Sequence, residues 1–130
     1  MKLTTYRFGS PRRRGEGLRV GVTRYLPRGV RKTEYARGNY FDVWYPVLAP
    51  SRELLQWLRS QPDLTAAWSK FSQRYRREVL GNPDSRHTLQ LMAALAQRTP
   101  ITIGCYCADE SHCHRSLLKQ LIREAAEERV

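Results

Sequence analysis

Apolar residues recur along this chain with two different periods. In Lys2–Phe8 (KLTTYRF) they alternate among β-formers. In Leu18–Leu26 the residues Leu18, Val20 and Val22 share one side, with Arg19, Gly21 and Thr23 on the other. Both segments read as strands. A third, Thr99–Cys107 (TPITIGCYC), is a short apolar run bounded by Pro100, the pattern of a buried strand. Between these the period lengthens. Ser51 can cap a helix over RELLQWLRS. Leu64, Trp68, Phe71, Tyr75 and Val79 then repeat at four and three, the stripe of an amphipathic helix. Gly81, Pro83 and Asp84 punctuate it, and a further helix follows through Thr88, Leu91, Met92 and Leu95. The last helix runs from about residue 112 to the C-terminus, with Leu117, Leu118, Leu121, Ile122 and Ala125 inward. Gly9–Gly17 is a loop, and Pro46 and Pro50 bar FDVWYPVLAPS from a central strand.

This mix predicts an α/β fold: one three-layer domain over residues 1–130, with a mostly parallel central sheet flanked by helices. There is no internal repeat or low-complexity tract. The length of 130 residues and a hydrophobic share of 41% suit a core that needs no disulfide or metal staple. No run is long enough for a transmembrane helix, and MKLTTYRFGSPRRR lacks the apolar stretch of a signal peptide. Three cysteines argue against a disulfide scaffold. The expected location is the cytoplasm, without membrane contact; the oligomeric state is not legible.

Charge changes the picture in one region. The formal net charge is +11. Lys2, Arg7, Arg12, Arg13, Arg14, Arg19, Arg24, Arg28, Arg31, Lys32 and Arg37 face only Glu16 and Glu34 in the first forty residues. Such an excess draws polyanions, although it is also compatible with a solvated basic surface. Tyr25, Tyr35, Tyr40, Phe41, Trp44 and Tyr45 are interleaved with it. Base stacking is one use for them. Packing in the core is the expected one, because large rings are mostly buried.

The densest chemistry lies in CADESHCHRSLL, Cys107–Leu118, where a strand gives way to a helix. Ligands of parallel α/β sheets bind beyond the carboxyl ends of the strands, where the next helix aims its free N–H groups. Arg115 in the first helical turn opposes the helix dipole. An anion between Arg115, Ser116 and the amides would account for it; the alternative is that Arg115 folds back on Asp109, Glu110 or a carbonyl. Cys107, facing a helix N-terminus, is a candidate nucleophile of lowered pKa, with His114 or His112 as acid or base. Cys107 and Cys113 could also pair as a redox bridge. No residue is assigned as a metal ligand and no cofactor is expected. Were zinc present, Cys107, Cys113 and one of the two histidines would be its trio. On a continuous strand the sulfurs of Cys105 and Cys107 would lie ~6.6 Å apart, poorly spaced for one zinc unless the strand breaks at Tyr106, and Cys105 reads as a small buried hydrophobe. In VTRYLPRGVRK, Pro27 and Gly29 form a stiff turn presenting Arg28, and Arg24 leaves the end of the second strand.

The segments TRYLPRGVRK, LAPSRELLQWL, FSQRYRREVL and CADESHCHRSLL, in this order, resemble the domain of unknown function 488 family, which includes YeaO-like proteins. Arg24, Pro27, Arg28 and Gly29 match its Asp-Arg-Leu-Trp-Pro-Arg-Gly segment, with Thr23 and Leu26 in place of the acid and the tryptophan. Cys107, Cys113, His114 and Arg115 match the Cys-x5-Cys-His-Arg segment of its cysteine-bearing branch. The resemblance implies a compact α/β fold in which these segments meet; it implies no activity. The residues themselves point to a cationic pocket binding an anionic small molecule or nucleic acid, the ligand expected being a nucleotide or nucleic-acid end. Arg24, Arg28, Cys113, Arg115 and Ser116 would contact it, with Cys107 and His114 nearest any chemistry. Two alternatives stand beside it: an enzyme with Cys107 as nucleophile, and a nucleic-acid-binding module that uses the basic N-terminal third.

Overall fold

The structure, a computed structural model, describes residues 1–107 and 109–128. Four parallel strands form one sheet in the order β1–β4–β2–β3: β1 (Leu3–Arg7), β2 (Leu18–Gly21), β3 (Val43–Trp44) and β4 (Ile101–Cys105). Four helices complete the domain: α1 (Arg52–Arg59), α2 (Leu64–Gly81), α3 (Pro83–Arg98) and α4 (His114–Glu127). The single α/β domain with a parallel sheet is therefore present. The proline-rich FDVWYPVLAPS contributes only a two-residue edge strand and a turn of 3-10 helix, as its prolines demand. The last helix begins at His114 rather than 112, and its expected run through 129 and 130 lies outside the described residues.

Strand β4 sits between β1 and β2, and every one of its residues is buried. Its odd positions Ile101 and Ile103 join Leu3, Val20 and Val22 against the helices, in a core that includes Phe71, Tyr75, Leu89, Leu118, Leu121 and Ile122. The opposite face is covered differently. There Tyr6, Phe8 and Phe41 cluster with Leu26, Tyr35, Tyr40 and Trp44, so the third layer is made of aromatic loop segments instead of helix. The narrowness of that face explains this. Gly104 and Gly21 leave room for rings to lie directly on the backbone: a Cβ at Gly104 would stand 2.3 Å from the Tyr6 ring, and one at Gly21 2.7 Å from Phe41. Most of the loop aromatics thus pack, as expected; Tyr25 stays exposed.

Arg19 enters the same face from β2 and is completely buried. Its guanidinium pairs with Glu16, donates to the carbonyls of Ser10 and Asn39 at 2.9 Å each, and lies 4.2 Å from the centre of the Tyr6 ring. Its backbone N–H donates to Asp42, which also receives Arg12. Hydrogen bonds from Arg12, followed by that of the Arg19 backbone, hold the Asp42 carboxyl below the usual carboxylate range.

Three helices start on side-chain caps: Ser51 accepts from Leu54 N–H at 3.1 Å, Asp63 from Ala66 at 3.2 Å and Asn82 from Asp84 at 3.0 Å. Glu78 of α2 in turn receives the Ser51 N–H and hydroxyl, which fixes the start of α1 against α2. In α3 the buried stripe runs through Leu89, Met92, Ala93 and Ala96, leaving Leu91 and Leu95 exposed. The buried face is thus built around the small Ala93 and Ala96, against α4, and is turned away from the Leu91–Leu95 face that was expected.

Two outcomes follow. Gly104→Ala should destabilise the domain by about 1–3 kcal/mol, read as a lowered denaturant midpoint, because the new methyl overpacks against Tyr6. Asp42→Asn should lower the melting temperature at neutral pH. Since the folded pKa of Asp42 is depressed, its contribution is present above about pH 4 and is lost as pH falls further. The gap between variant and parent should therefore close as pH is lowered toward 3.

Candidate functional site

All four strands run in the same direction, so their carboxyl ends and the segments that follow gather at one edge of the sheet. There β4 ends at Cys105 and the chain bends at Tyr106. The bend removes the strand spacing that would have kept Cys105 and Cys107 apart. The sulfurs of Cys105 and Cys113 lie within 4.8 Å of each other and of a His114 ring nitrogen, and Cys107 joins Cys105 in the wall of the same small cavity. Cys105 and Cys113 are buried and Cys107 is exposed; all three are free thiols.

The histidine and arginine that follow Cys113 turn inward at the first turn of α4, and both are buried. His114 Nε2 lies 2.6 Å from the Val22 carbonyl, so Nε2–H donates there and Nδ1 is left as the lone-pair nitrogen, 3.8 Å from Cys113 Sγ. Burial lowers the pKa of this imidazole and keeps it neutral. This hydrogen bond joins the end of β2 to the start of α4, so the TRYLPRG and CHR segments meet. Arg115 Nη1 donates to the Cys107 carbonyl at 2.7 Å and to Cys105 Sγ at 3.3 Å. Of the two readings of Arg115, the fold-back on a carbonyl is the one realised. Ser116 likewise turns back, its hydroxyl donating to the Cys113 carbonyl at 2.8 Å.

Hydrogen bonding by the neighbouring Cys107 and Cys113 thiols lowers the Cys105 pKa below the ordinary thiol range. Donating to Cys105 raises Cys107 to about 11 and raises Cys113 as well. The Cys107 pKa is thus raised rather than lowered, with the hydrogen bond to Cys105 the first cause.

The cluster forms the floor of a small cavity of about 170 Å3, lined by Cys105, Cys107 and His114 together with Thr23, Arg24 and Leu55. Tyr25, Arg59 and Tyr106 line this chamber and also a wider vestibule of about 950 Å3, whose wall adds Arg28, Arg52 and Gln56. No acidic side chain lines either cavity among the described residues. Arg28, presented by the turn at Pro27 and Gly29, faces the vestibule as its position suggested. Arg24 borders the chamber, but its guanidinium is engaged, donating to the carbonyls of Pro50 and Ala49 at 3.1 and 3.0 Å. Cys113, Arg115 and Ser116 are not part of the cavity walls.

Sequence reasoning missed Arg52, Gln56, Arg59 and Tyr106. The first three had a signal: they fall at i, i+4 and i+7, a polar stripe on one face of α1. Of the metal-ligand trio considered, His112 points elsewhere, toward Asp109 at 3.2 Å and the Trp68 ring. The set whose donor atoms converge is instead Cys105, Cys113 and His114, all within 4.8 Å of one another. Cys105, read as a buried hydrophobe, is buried, yet it stands at the centre of the cluster.

No solved structure matches this chain. Among curated proteins, the uncharacterized protein Rv3073c of Mycobacterium tuberculosis is 31% identical over 107 residues, 82% of this chain and 81% of its own length. The uncharacterized protein YeaO of Escherichia coli is 24% identical over 123 residues, 95% of this chain and 98% of its own. The family model described as "Active DUF488-N3 subclade" matches residues 3–126. Taken with the Cys-His-Arg cluster at the end of β4, these matches identify the chain as a member of the DUF488 family.

Proposed function

We propose that this protein binds a phosphate-bearing ligand with a planar base, a nucleotide or a nucleic-acid end, in the arginine-lined vestibule. The observation that carries the reading is the composition of that cavity. Arg28, Arg52 and Arg59 converge on it without an acid, and Tyr25 and Tyr106 bring rings to the same wall. The Arg28 and Arg59 side chains have no hydrogen-bond or ion-pair partner among the described residues, so their donors are available to an anion. The volume of about 950 Å3 lies within the range of small-molecule sites. Guanidinium forks match phosphate oxygens two at a time, and tyrosine faces suit bases. The innermost group of the ligand would enter the chamber above Cys105, Cys107 and His114.

Arginine roles shift from those first expected. Arg28 keeps its place as a ligand contact, joined by Arg52 and Arg59. Arg24 and Arg115 support the walls from behind, through carbonyls and a sulfur. The alternative of a basic N-terminal contact face is weakened by the same accounting. Arg12 and Arg13 are paired with Asp42 and Glu16, Arg19 is buried, and Arg24 is held by two carbonyls.

Thermal unfolding of the reduced protein against phosphate, sulfate, mononucleotides and a short single-stranded oligonucleotide tests the reading. A ligand at 100 times its Kd stabilises by about 2.7 kcal/mol, a rise of several degrees. The expected result is a shift with a nucleotide at an ionic strength where sulfate gives none. Arg28→Ala combined with Arg59→Ala should abolish that shift while the unliganded melting temperature stays the same, both side chains being exposed. No shift with any member of the panel, or an unchanged shift in the double variant, defeats the proposal. Oligonucleotide binding that survives the double variant and falls steeply with salt would favour the basic face instead.

A further inference from the structure

From the residues at the chamber floor we infer a metal site, in which Cys105, Cys113 and His114 hold a divalent ion of the zinc class with its fourth position open toward the vestibule. The proposal is independent of which ligand the vestibule takes.

Geometry comes first. The three donor atoms lie within 4.8 Å of one another. Around a tetrahedral zinc, with Zn–S about 2.3 Å and Zn–N about 2.0–2.1 Å, adjacent donors are separated by roughly 3.3–3.8 Å. Cys113 Sγ and His114 Nδ1 already stand 3.8 Å apart. The third donor, Cys105 Sγ, is within 4.8 Å of both.

The surroundings are those of a ligand set. Metal-binding histidines almost always donate their other ring N–H to an acceptor, which fixes the tautomer and aims the free lone pair at the ion. Here Nε2–H is committed to the Val22 carbonyl at 2.6 Å, and Nδ1 faces the sulfurs. Arg115 Nη1, 3.3 Å from Cys105 Sγ, is a donor to a thiolate from outside the coordination sphere. Two thiolates and one divalent ion make a neutral unit, which a buried position tolerates.

A second observation points the same way. The other three helices begin with side-chain caps from Ser51, Asp63 and Asn82. The N-cap of α4 is Cys113, whose side chain makes no capping bond. A helix start without a cap forgoes about 1 kcal/mol. A thiol at that position, turned inward toward another sulfur and an imidazole, answers a different requirement.

The open position follows from the walls. Cys105 and His114 line the chamber, and Cys113 lies behind them. The chamber opens on the side of Cys105 and His114, and Cys107 is a further member of its wall. On binding, each of the two cysteine sulfurs donates a lone pair to the ion, and any thiol proton it carried leaves to solvent.

The test is titration of the reduced protein with Co2+, a spectroscopic stand-in for zinc, followed by displacement with Zn2+. The expected result is one equivalent bound, with tetrahedral visible bands and a near-ultraviolet sulfur-to-cobalt band that Zn2+ abolishes. Cys113→Ser should lose about half of the sulfur-to-cobalt intensity, one of two thiolates. Cys107→Ser, at the exposed position, should retain all of it. Far-UV circular dichroism of both variants checks that they fold. Absence of the sulfur-to-cobalt band in folded, reduced parent protein overturns the metal site. Loss of a third of the intensity in Cys107→Ser overturns the open position, because Cys107 would then be a ligand. The phosphate and nucleotide shifts are measured on metal-free protein, so a failure of the anion reading and a failure of this one are told apart.

Discussion

The fully buried guanidinium of Arg19 is the constraint around which the N-terminal third is arranged. An isolated charge in that position would cost several kcal/mol. Its cost is offset by converging partners: the Glu16 carboxylate, the carbonyls of Ser10 and Asn39, and the face of Tyr6. The partners come from three stretches of chain: β1 with Tyr6, the 9–17 loop with Ser10 and Glu16, and the segment around Asn39. To supply them, the loop at 9–17 must fold under the sheet and the segment around Asn39 must close over it. Asn39 itself adopts a positive φ of 64°, in reach of an asparagine. Asp42 then ties that segment back to the Arg19 backbone and places β3 beside β2. One charge thus fixes the position of the aromatic layer and, through β2, of the site-forming turn that follows it.

From β2 the order passes to the functional edge through one hydrogen bond. The Val22 carbonyl, one residue beyond the strand, receives His114 Nε2–H. The start of α4 is therefore referenced to β2 as well as to β4, the strand that precedes it in sequence. With β4 central and fully buried, the chain has little freedom at Cys105, and the cluster inherits that rigidity. Close packing on the far side reinforces it: the Tyr6 ring lies on Gly104, one residue before the thiol.

Much of this was legible in the sequence because period and punctuation are local signals. Val20 and Val22, the apolar run before Cys105 and the stripe through Phe71, Tyr75 and Val79 each report which side of an element meets the helical core, although Leu18, expected on the same side, is exposed. The cap at Ser51 was marked by residue type, as was the break between α2 and α3 at Gly81, Pro83 and Asp84. What was not legible depends on approach between distant segments. Arg19 counted as one more surface cation, since nothing local shows that Glu16 and two carbonyls surround it. Cys105 looked inert because its spacing to Cys107 was measured along a strand that in fact ends between them. The expected helical layer on the second face was replaced by rings, which only the juxtaposition of Gly21 with Phe41 and of Gly104 with Tyr6 permits.

The site edge separates two tasks that composition had merged. The cations counted together in the sequence divide into those that brace and those that face outward. Arg24 and Arg115 spend their donors on carbonyls and a sulfur, holding the walls in place. Arg28, Arg52 and Arg59 surround open space. A guanidinium already satisfied by the backbone has little to gain from an anion, whereas an exposed one gains a desolvated, bidentate partner. Arg59 lines both cavities, so an anion drawn in by the vestibule would be carried to within reach of the chamber above Cys105 and His114. The edge thus runs from arginines around the wider cavity to soft sulfur and imidazole donors in the smaller one.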